Sequence, residues 1–96
     1  MIIVGKKWDK GAIYIGRGSP LGNPFVMRSE EDRNDVCDKY EEWFNKQIED
    51  ENQVVLSELR RIYLLAKRQD VILGCYCSPK RCHGDTIKKF IDKYLD

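Results

Sequence analysis

Cysteine, histidine and aspartate, three residue types that serve as catalytic groups, stand close together in LGCYCSPKRCHGD at residues 73–85. A Cys82 thiol beside cationic side chains at the start of a helix is predicted to have a lowered pKa and thiolate character. His83 is the only histidine, and its unperturbed pKa lies near neutrality. Cys82, His83 and Asp85 are therefore candidate catalytic residues. The alternative is a buried cysteine beside a surface histidine, with no chemistry at either.

The cysteine spacing of this segment also suggests zinc. Cys75 and Cys77 point to the same face of an extended chain, so both can reach one ion, and Cys82 with His83 would complete a Cys3His set. Against zinc, common zinc knuckles space their cysteines as C-x2-C, and Cys75 ends an apolar run where a thiol packs as a small hydrophobe. We therefore predict no cofactor, with zinc as the open alternative.

A second unusual stretch, YIGRGSPLGNPF at residues 14–25, is rich in glycine and proline. Gly18 and Gly22 permit backbone conformations that present N–H groups to a phosphate. Arg17 can pair with an anion, and Asn23 can hydrogen-bond a base, a ribose or its own backbone. The stretch matches neither the dinucleotide fingerprint nor the P-loop. Its alternative interpretation is a wide loop with only a structural role.

Charge is segregated along the chain in a way that fits an anionic ligand. Residues 1–28 and 53–96 each carry a net charge of +4, whereas residues 29–52 carry −7. Both unusual stretches lie in the basic segments. Lys80 and Arg81 precede a predicted helix whose N-terminal N–H groups favour phosphate or carboxylate, and Gly84 lets a ligand approach the backbone. Together with Arg17, these are the predicted ligand-binding groups, although a solvated surface can have the same composition.

Periodicity predicts six elements that must position these residues, in the order β-β-α-α-β-α. Residues 2–5 and 12–16 are strand-like and could form a hairpin, whereas 71–75 is a continuous apolar run typical of an interior strand with helices on both faces. Apolar stripes after Ser29 and Asn52, and at the end of the chain, predict three helices. The fold class is therefore α/β, a small Rossmann-like sandwich with a short sheet flanked by helices, and residues 1–96 form one domain.

Composition narrows the functional classes. With 42% hydrophobic and 34% charged residues, the chain has the balance of an ordinary globular protein, and no apolar run reaches the ~20 residues of a membrane span. The N-terminus lacks the apolar core of a signal peptide, so we expect a cytoplasmic protein with reduced thiols. A nucleic-acid surface would be more basic overall. We therefore expect neither membrane nor nucleic-acid binding, and the oligomeric state stays open.

The two stretches together resemble the DUF4326 family of small proteins from phages and bacteria. The resemblance covers about half of the chain, and the strand, Cys-His and helix pattern is more weakly similar to the DUF488 family. The resemblance implies a small Rossmann-like fold but indicates no activity. If the gene is a phage gene, the expected location is the cytoplasm of the host. The family pattern falls on Gly18, Pro20, Gly22, Asn23, Pro24, Phe25, Cys75, Cys77, Pro79, Cys82, His83, Gly84 and Asp85.

We predict that the two stretches converge on one pocket for a small anionic ligand, most plausibly a nucleotide or a nucleotide derivative. Arg17, Lys80 and Arg81 would hold phosphate, and Asn23 and His83 would face a common cavity. Three functional classes stay open: an enzyme that acts on a nucleotide or nucleoside, a non-catalytic protein that binds or sequesters a nucleotide signal, and a zinc-stabilised binding module.

Overall fold

The computed structural model describes residues 1–75 and 80–95, which form a three-stranded parallel sheet and three helices. Strands β1 (Ile2–Lys6) and β2 (Ile13–Tyr14) come first. A 3₁₀ turn at Glu30–Asp32 leads into α1 (Arg33–Glu49), which is followed by α2 (Gln53–Ala66), β3 (Val71–Cys75) and α3 (Gly84–Leu95). The predicted α/β class and the order β-β-α-α-β-α are confirmed.

The strand order in the sheet is β1-β3-β2, so β3 is the interior strand that its apolar sequence predicted. Both neighbours are parallel to it: Ile2 pairs with Val71, and Ile13 pairs with Leu73. The suggested hairpin between β1 and β2 is therefore wrong. The connection of residues 7–12 passes over Gly74, where an added Cβ would lie 2.9 Å from Lys7 Cα and 3.0 Å from Ala12 Cβ. A glycine at this position lets the connection cross the sheet.

The hydrophobic core lies against one face of the sheet. Ile2, Val71 and Leu73 share that face and belong to the same buried cluster as the helix residues Tyr40, Phe44, Val55, Leu59, Ile62, Ile87 and Ile91. On the opposite face the Ile3 side chain is 41% exposed and Ile72 is half-buried, and neither belongs to the core cluster. Helices therefore flank the sheet on one face, and the expectation of helices on both faces is not met.

The helices begin where local sequence predicted. The acids after Ser29 form the 3₁₀ turn, and Asn52 caps α2 by accepting hydrogen bonds through Oδ1 from Val54 and Val55 N–H. All three helices are amphipathic, and tertiary packing of their apolar faces supplies most of their stability. Across residues 1–75 and 80–95, no helix combines the length and the apolar character that a membrane span requires.

Candidate functional site

A cavity of about 290 Å³ opens between the two unusual stretches, at the carboxyl ends of β2 and β3. Ligand crevices of open α/β sheets lie at this edge. Asn23 comes from the first stretch and His83 from the second, and both line this cavity. The described lining residues are Tyr14, Gly16, Arg17, Asn23, Phe25, Val26, Met27, Arg33, Val36, Cys37, Cys75, Arg81, Cys82 and His83.

The glycine-rich loop is held in two consecutive turns. Ser19 N–H and Ser19 Oγ both donate to the Gly16 carbonyl, and Gly22 N–H donates to the Ser19 carbonyl at 3.0 Å. Gly22 packs so closely on Gly16 that an added Cβ would lie 2.5 Å from the Gly16 oxygen. Gly18 has φ of +89°, a conformation that other residues rarely adopt. These contacts define the wall of the cavity that carries Arg17 and Asn23.

Asn23 uses one half of its amide to stabilise the loop and leaves the other half available. Its Oδ1 accepts a hydrogen bond from Phe25 N–H at 2.8 Å, which is an Asx turn. Among the contacts within the described residues, Nδ2 has no acceptor. Asn23 therefore offers a hydrogen-bond donor to a ligand in the cavity.

His83 is 7% exposed and is oriented by one hydrogen bond. Nε2 lies 2.6 Å from the Ile15 carbonyl oxygen, which can only accept, so Nε2 carries the proton. Nδ1 makes no hydrogen bond with the described residues, and no side-chain nitrogen or oxygen buried among them lacks a partner. Nδ1 therefore reaches solvent, and in the neutral ring it is a hydrogen-bond acceptor at the cavity wall.

Tyr40 of α1 links the two stretches. Its ring meets the His83 ring edge-on with 5.0 Å between centroids, and its hydroxyl donates to the Leu21 carbonyl at 2.8 Å. The side chain is fully buried, and this burial raises the pKa of the Tyr40 hydroxyl far above its ordinary value. The hydroxyl is therefore a permanent donor that ties the glycine-rich loop to the histidine.

The CHGD sequence closes the start of α3 as a capping box in which cysteine takes the usual place of serine or threonine. Gly84 N–H donates to Cys82 Sγ at 3.2 Å, and Cys82 N–H donates to Asp85 Oδ2 at 3.2 Å. Asp85 and Thr86 N–H groups donate to the Cys82 and His83 carbonyls. These four N–H groups are occupied, so most of the donors on which the predicted phosphate contact depended are already used within the first turn of α3.

The surroundings of Gly84 and Asp85, which belong to the same segment, indicate structural roles. An added Cβ on Gly84 would lie 2.9 Å from Ile15 Cδ1 and 3.1 Å from Val4 Cγ1, so the glycine allows α3 to pack against the sheet. Asp85 is exposed and lines a separate surface depression with Lys88, Lys89, Asp92 and Lys93. The structure therefore places Gly84 and Asp85 away from the cavity.

The Cys82 thiol is not activated. Cys82 is 3% exposed, and its Sγ lies 2.9 Å from the buried Sγ of Cys75. The hydrogen bond with Cys75, followed by burial, raises the pKa of the Cys82 thiol far above its ordinary value, and the opposing effect of the Gly84 N–H is smaller. The prediction of a lowered thiol pKa is therefore wrong, because the cations that should have lowered it point elsewhere.

The structure tests only part of the predicted zinc site, because Cys77 lies outside the described residues. Among residues 1–75 and 80–95, no three cysteine, histidine or acidic side chains form a group that could hold a metal ion. Two thiolates on a tetrahedral zinc would lie roughly 3.8 Å apart, from Zn–S bonds of about 2.3 Å. Cys75 Sγ and Cys82 Sγ are closer than that, whereas the bond from His83 Nε2 to the Ile15 carbonyl leaves Nδ1 able to bind a metal. The two described thiols therefore do not have the spacing of zinc ligands.

Three arginines line the cavity, and two of them form ion pairs with acidic residues that are not part of its lining. Arg33 makes a two-pronged contact with Glu30 and donates through Nη1 to the Arg81 carbonyl. Arg81 donates to Asp38 Oδ1 at 2.8 Å and to Asn34. Arg17 is exposed and makes no ion pair or hydrogen bond with the part of the chain that the structure describes.

Lys80 is held by Glu30 at 3.1 Å and is not among the described residues that line the cavity. The hydrogen bonds from Arg33 and then Lys80 lower the pKa of Glu30 to about 2, so this carboxylate stays ionised at neutral pH. None of the described lining residues is an aspartate or a glutamate. The cavity therefore has a positive wall, and its counter-charges lie outside the lining.

The sequence analysis did not predict about half of the residues that line the cavity. Phe25, Val26, Met27 and Val36 are apolar residues of the lining, and Tyr14 packs over Gly16. Of these, only Tyr14 and Phe25 belonged to a quoted stretch. Arg33 lies in the acidic segment of residues 29–52, for which the sequence analysis named no site residue. The signal that could have found it is its place in the first turn of α1, beside the carboxyl end of the sheet.

Comparisons with known proteins identify one family. The model of the family described as "Domain of unknown function (DUF4326)" matches residues 4–93. No curated protein matches the chain. No solved structure matches it either.

Proposed function

The chain belongs to the DUF4326 family, and from that premise we propose that it binds a nucleotide or a nucleotide-derived anion in the cavity between its two motifs. One observation carries the proposal. Three arginines line the cavity and no carboxylate does so among the described residues, while Phe25, Val26, Met27 and Val36 add apolar surface to the lining. A ligand with an anionic end and a flat apolar end suits such a wall, since guanidinium groups bind phosphate and apolar side chains cover a base.

The dimensions of the cavity favour a small ligand. Its volume of about 290 Å³ lies at the lower end of the range for small-molecule sites, roughly 300–1,000 Å³. The hydrogen-bonding groups are few and complementary: Asn23 Nδ2 donates and His83 Nδ1 accepts. A pair of this kind is suited to the donor and acceptor edge of a base or to a ribose hydroxyl.

Binding without turnover is the function that the geometry supports best. Hydrolysis of a glycosidic bond usually requires a pair of carboxylates at the bond, and the described lining contains none. Cys82 is a buried neutral thiol, and Asp85 lies on another surface. A role as an enzyme is the second candidate, and only His83 Nδ1 supports it, as an acid or base at the cavity wall.

Native mass spectrometry of the purified protein, followed by calorimetry with a panel of nucleosides and nucleotides, tests the proposal. We expect a co-purified nucleotide or a micromolar dissociation constant for at least one member of the panel. Absence of any ligand and of any measurable binding across the panel would refute the proposal.

Turnover of the bound nucleotide separates the two candidates, with His83→Gln as the informative variant. Glutamine can still donate to the Ile15 carbonyl, but it lacks a titratable nitrogen. For a binding protein we expect no product with either form, and a modestly lower affinity in His83→Gln, because the Nδ1 acceptor is lost. Turnover by the native chain that His83→Gln abolishes, with binding retained, would establish the enzyme.

A further inference from the structure

We propose that the ligand of this cavity is a nucleoside monophosphate bound without a divalent metal, with its phosphate on Arg17. This inference rests on the proposed function and specifies its ligand class. It follows from the charge around the cavity, from the carboxylates that are missing from its wall, and from the position of Arg17 between two adjoining depressions.

The charge near the cavity matches one phosphate. Of the three arginines that line the cavity, Arg33 pairs with Glu30 and Arg81 pairs with Asp38, which leaves Arg17 as the lining cation without an ion pair among the described residues. A phosphate monoester carries about −1.5 to −2 at neutral pH. A triphosphate exceeds this supply and would need a metal ion or further cations.

The described lining of the cavity offers no carboxylate to the metal ion of a metal-bound nucleotide. Mg²⁺ is usually held by one or two carboxylates together with the substrate phosphates. The described lining has no carboxylate, and residues 76–79, which the structure does not describe, are Tyr, Cys, Ser and Pro. Residue 96 follows α3, whose 12 residues extend roughly 16 Å from Gly84. The charge of the ligand must therefore be balanced by cations of the protein.

Arg17 is the cation best placed to contact the phosphate. Arg33 and Arg81 are paired with Glu30 and Asp38, whereas Arg17 has no partner in residues 1–75 and 80–95. Arg17 and Asn23 line the main cavity and also an adjoining depression of about 260 Å³. The rest of this depression is formed by Gly18, Ser19, Gly22 and Pro24. A phosphate at this boundary reaches Arg17 and Asn23 Nδ2 while the base lies on the apolar residues of the lining.

Calorimetry with one nucleoside and its 5′-mono-, di- and triphosphates, each with chelator and with Mg²⁺, tests the inference together with inorganic phosphate. We expect the monophosphate to bind at least about tenfold more tightly than the nucleoside, the triphosphate and inorganic phosphate, with no effect of Mg²⁺. Arg17→Gln should weaken the monophosphate about tenfold or more and leave the nucleoside unchanged. The control Arg28→Gln removes a nearby exposed charge outside both depressions and should change neither by more than about twofold.

Circular dichroism and melting temperature would show that both variants fold, as expected for exposed side chains. A triphosphate that binds more tightly than the monophosphate, or binding that requires Mg²⁺, would overturn this inference and leave the proposed function intact. Equal losses in Arg17→Gln and Arg28→Gln would also overturn it. No binding by any nucleoside or nucleotide would overturn both proposals.

Discussion

Adjacent residues of the CHGD sequence have different roles in the structure, so residue type alone does not predict which of them line the cavity. Cys82 and Asp85 turn their polar atoms toward the backbone of the first turn of α3, where they satisfy N–H groups that would otherwise lack partners. His83, between them, turns toward Ile15 and the cavity. A cysteine, a histidine and an aspartate within four positions therefore form a helix cap and one cavity group.

Cysteine alkylation tests the state of the thiols. Cys37, Cys75 and Cys82 are buried, and the pKa of Cys82 is raised, so we expect all three to resist iodoacetamide at pH 7.5 in the native protein. The same cysteines should react within minutes in denaturant, and peptide mass mapping would measure each site. Rapid labelling of Cys82 in the folded chain would contradict the structure around this thiol.

At the scale of elements, α1 joins the two motifs although its sequence carries neither. Tyr40 bonds to Leu21 in the glycine-rich loop and packs on His83, and Arg33 bonds to the Arg81 carbonyl from the first turn of the helix. The acidic side chains Glu30 and Asp38 hold Lys80 and Arg81. The negative charge of this segment therefore positions the positive wall of the cavity.

Tyr40→Phe tests this link. Loss of the hydroxyl leaves the buried Leu21 carbonyl without its partner, and we expect the free energy of unfolding to fall by about 1 to 3 kcal/mol. Ligand affinity should fall as well, because the glycine-rich loop loses its attachment. Tyr94→Phe is the matched control, since Tyr94 is exposed, and should change stability by no more than about 0.5 kcal/mol. Equal stability of the two variants in urea titration would contradict the role of Tyr40.

At the scale of the whole molecule, one apolar core unites the three helices with one face of the sheet. Fifteen buried residues form this cluster, among them Cys75 and Cys82, which pack in it as thiols. Small modules that depend on structural zinc usually lack such a core, and their metal-binding free energy is their folding free energy. A core of this extent supports folding without a metal.

Melting with and without chelator tests that expectation. We expect the melting temperature to change by less than about 1 °C, because no folding free energy would come from the ion. Stoichiometric zinc in the purified protein, lost together with a large part of the stability, would instead establish the set of Cys75, Cys77, Cys82 and His83. Cys77→Ser is the variant that would then distinguish a ligand from a bystander.

Much of the architecture could be predicted from the sequence because it depends on neighbours along the chain. The apolar periods predict three helices, the apolar run at 71–75 predicts an interior strand, and Asn52 caps α2 through N–H groups two and three residues away. The shared cavity was predicted from the family resemblance of the two stretches. In the structure both stretches come directly after parallel strands, whose carboxyl ends lie at one edge of the sheet.

Only the tertiary structure decided the features that depend on residues far apart in the chain. The parallel pairing of β1 and β2 with β3 replaced the hairpin because β3, some 60 residues later, forms hydrogen bonds on both of its edges. The high pKa of Cys82 depends on the nearby Cys75 thiol, and the availability of Arg17 depends on which cations Glu30 and Asp38 already hold. The effects of charge and burial on a thiol depend on distances in space. The sequence motif shows only the cations next to Cys82 along the chain and therefore predicted a lowered pKa, whereas in the folded chain burial and the Cys75 thiol keep Cys82 neutral.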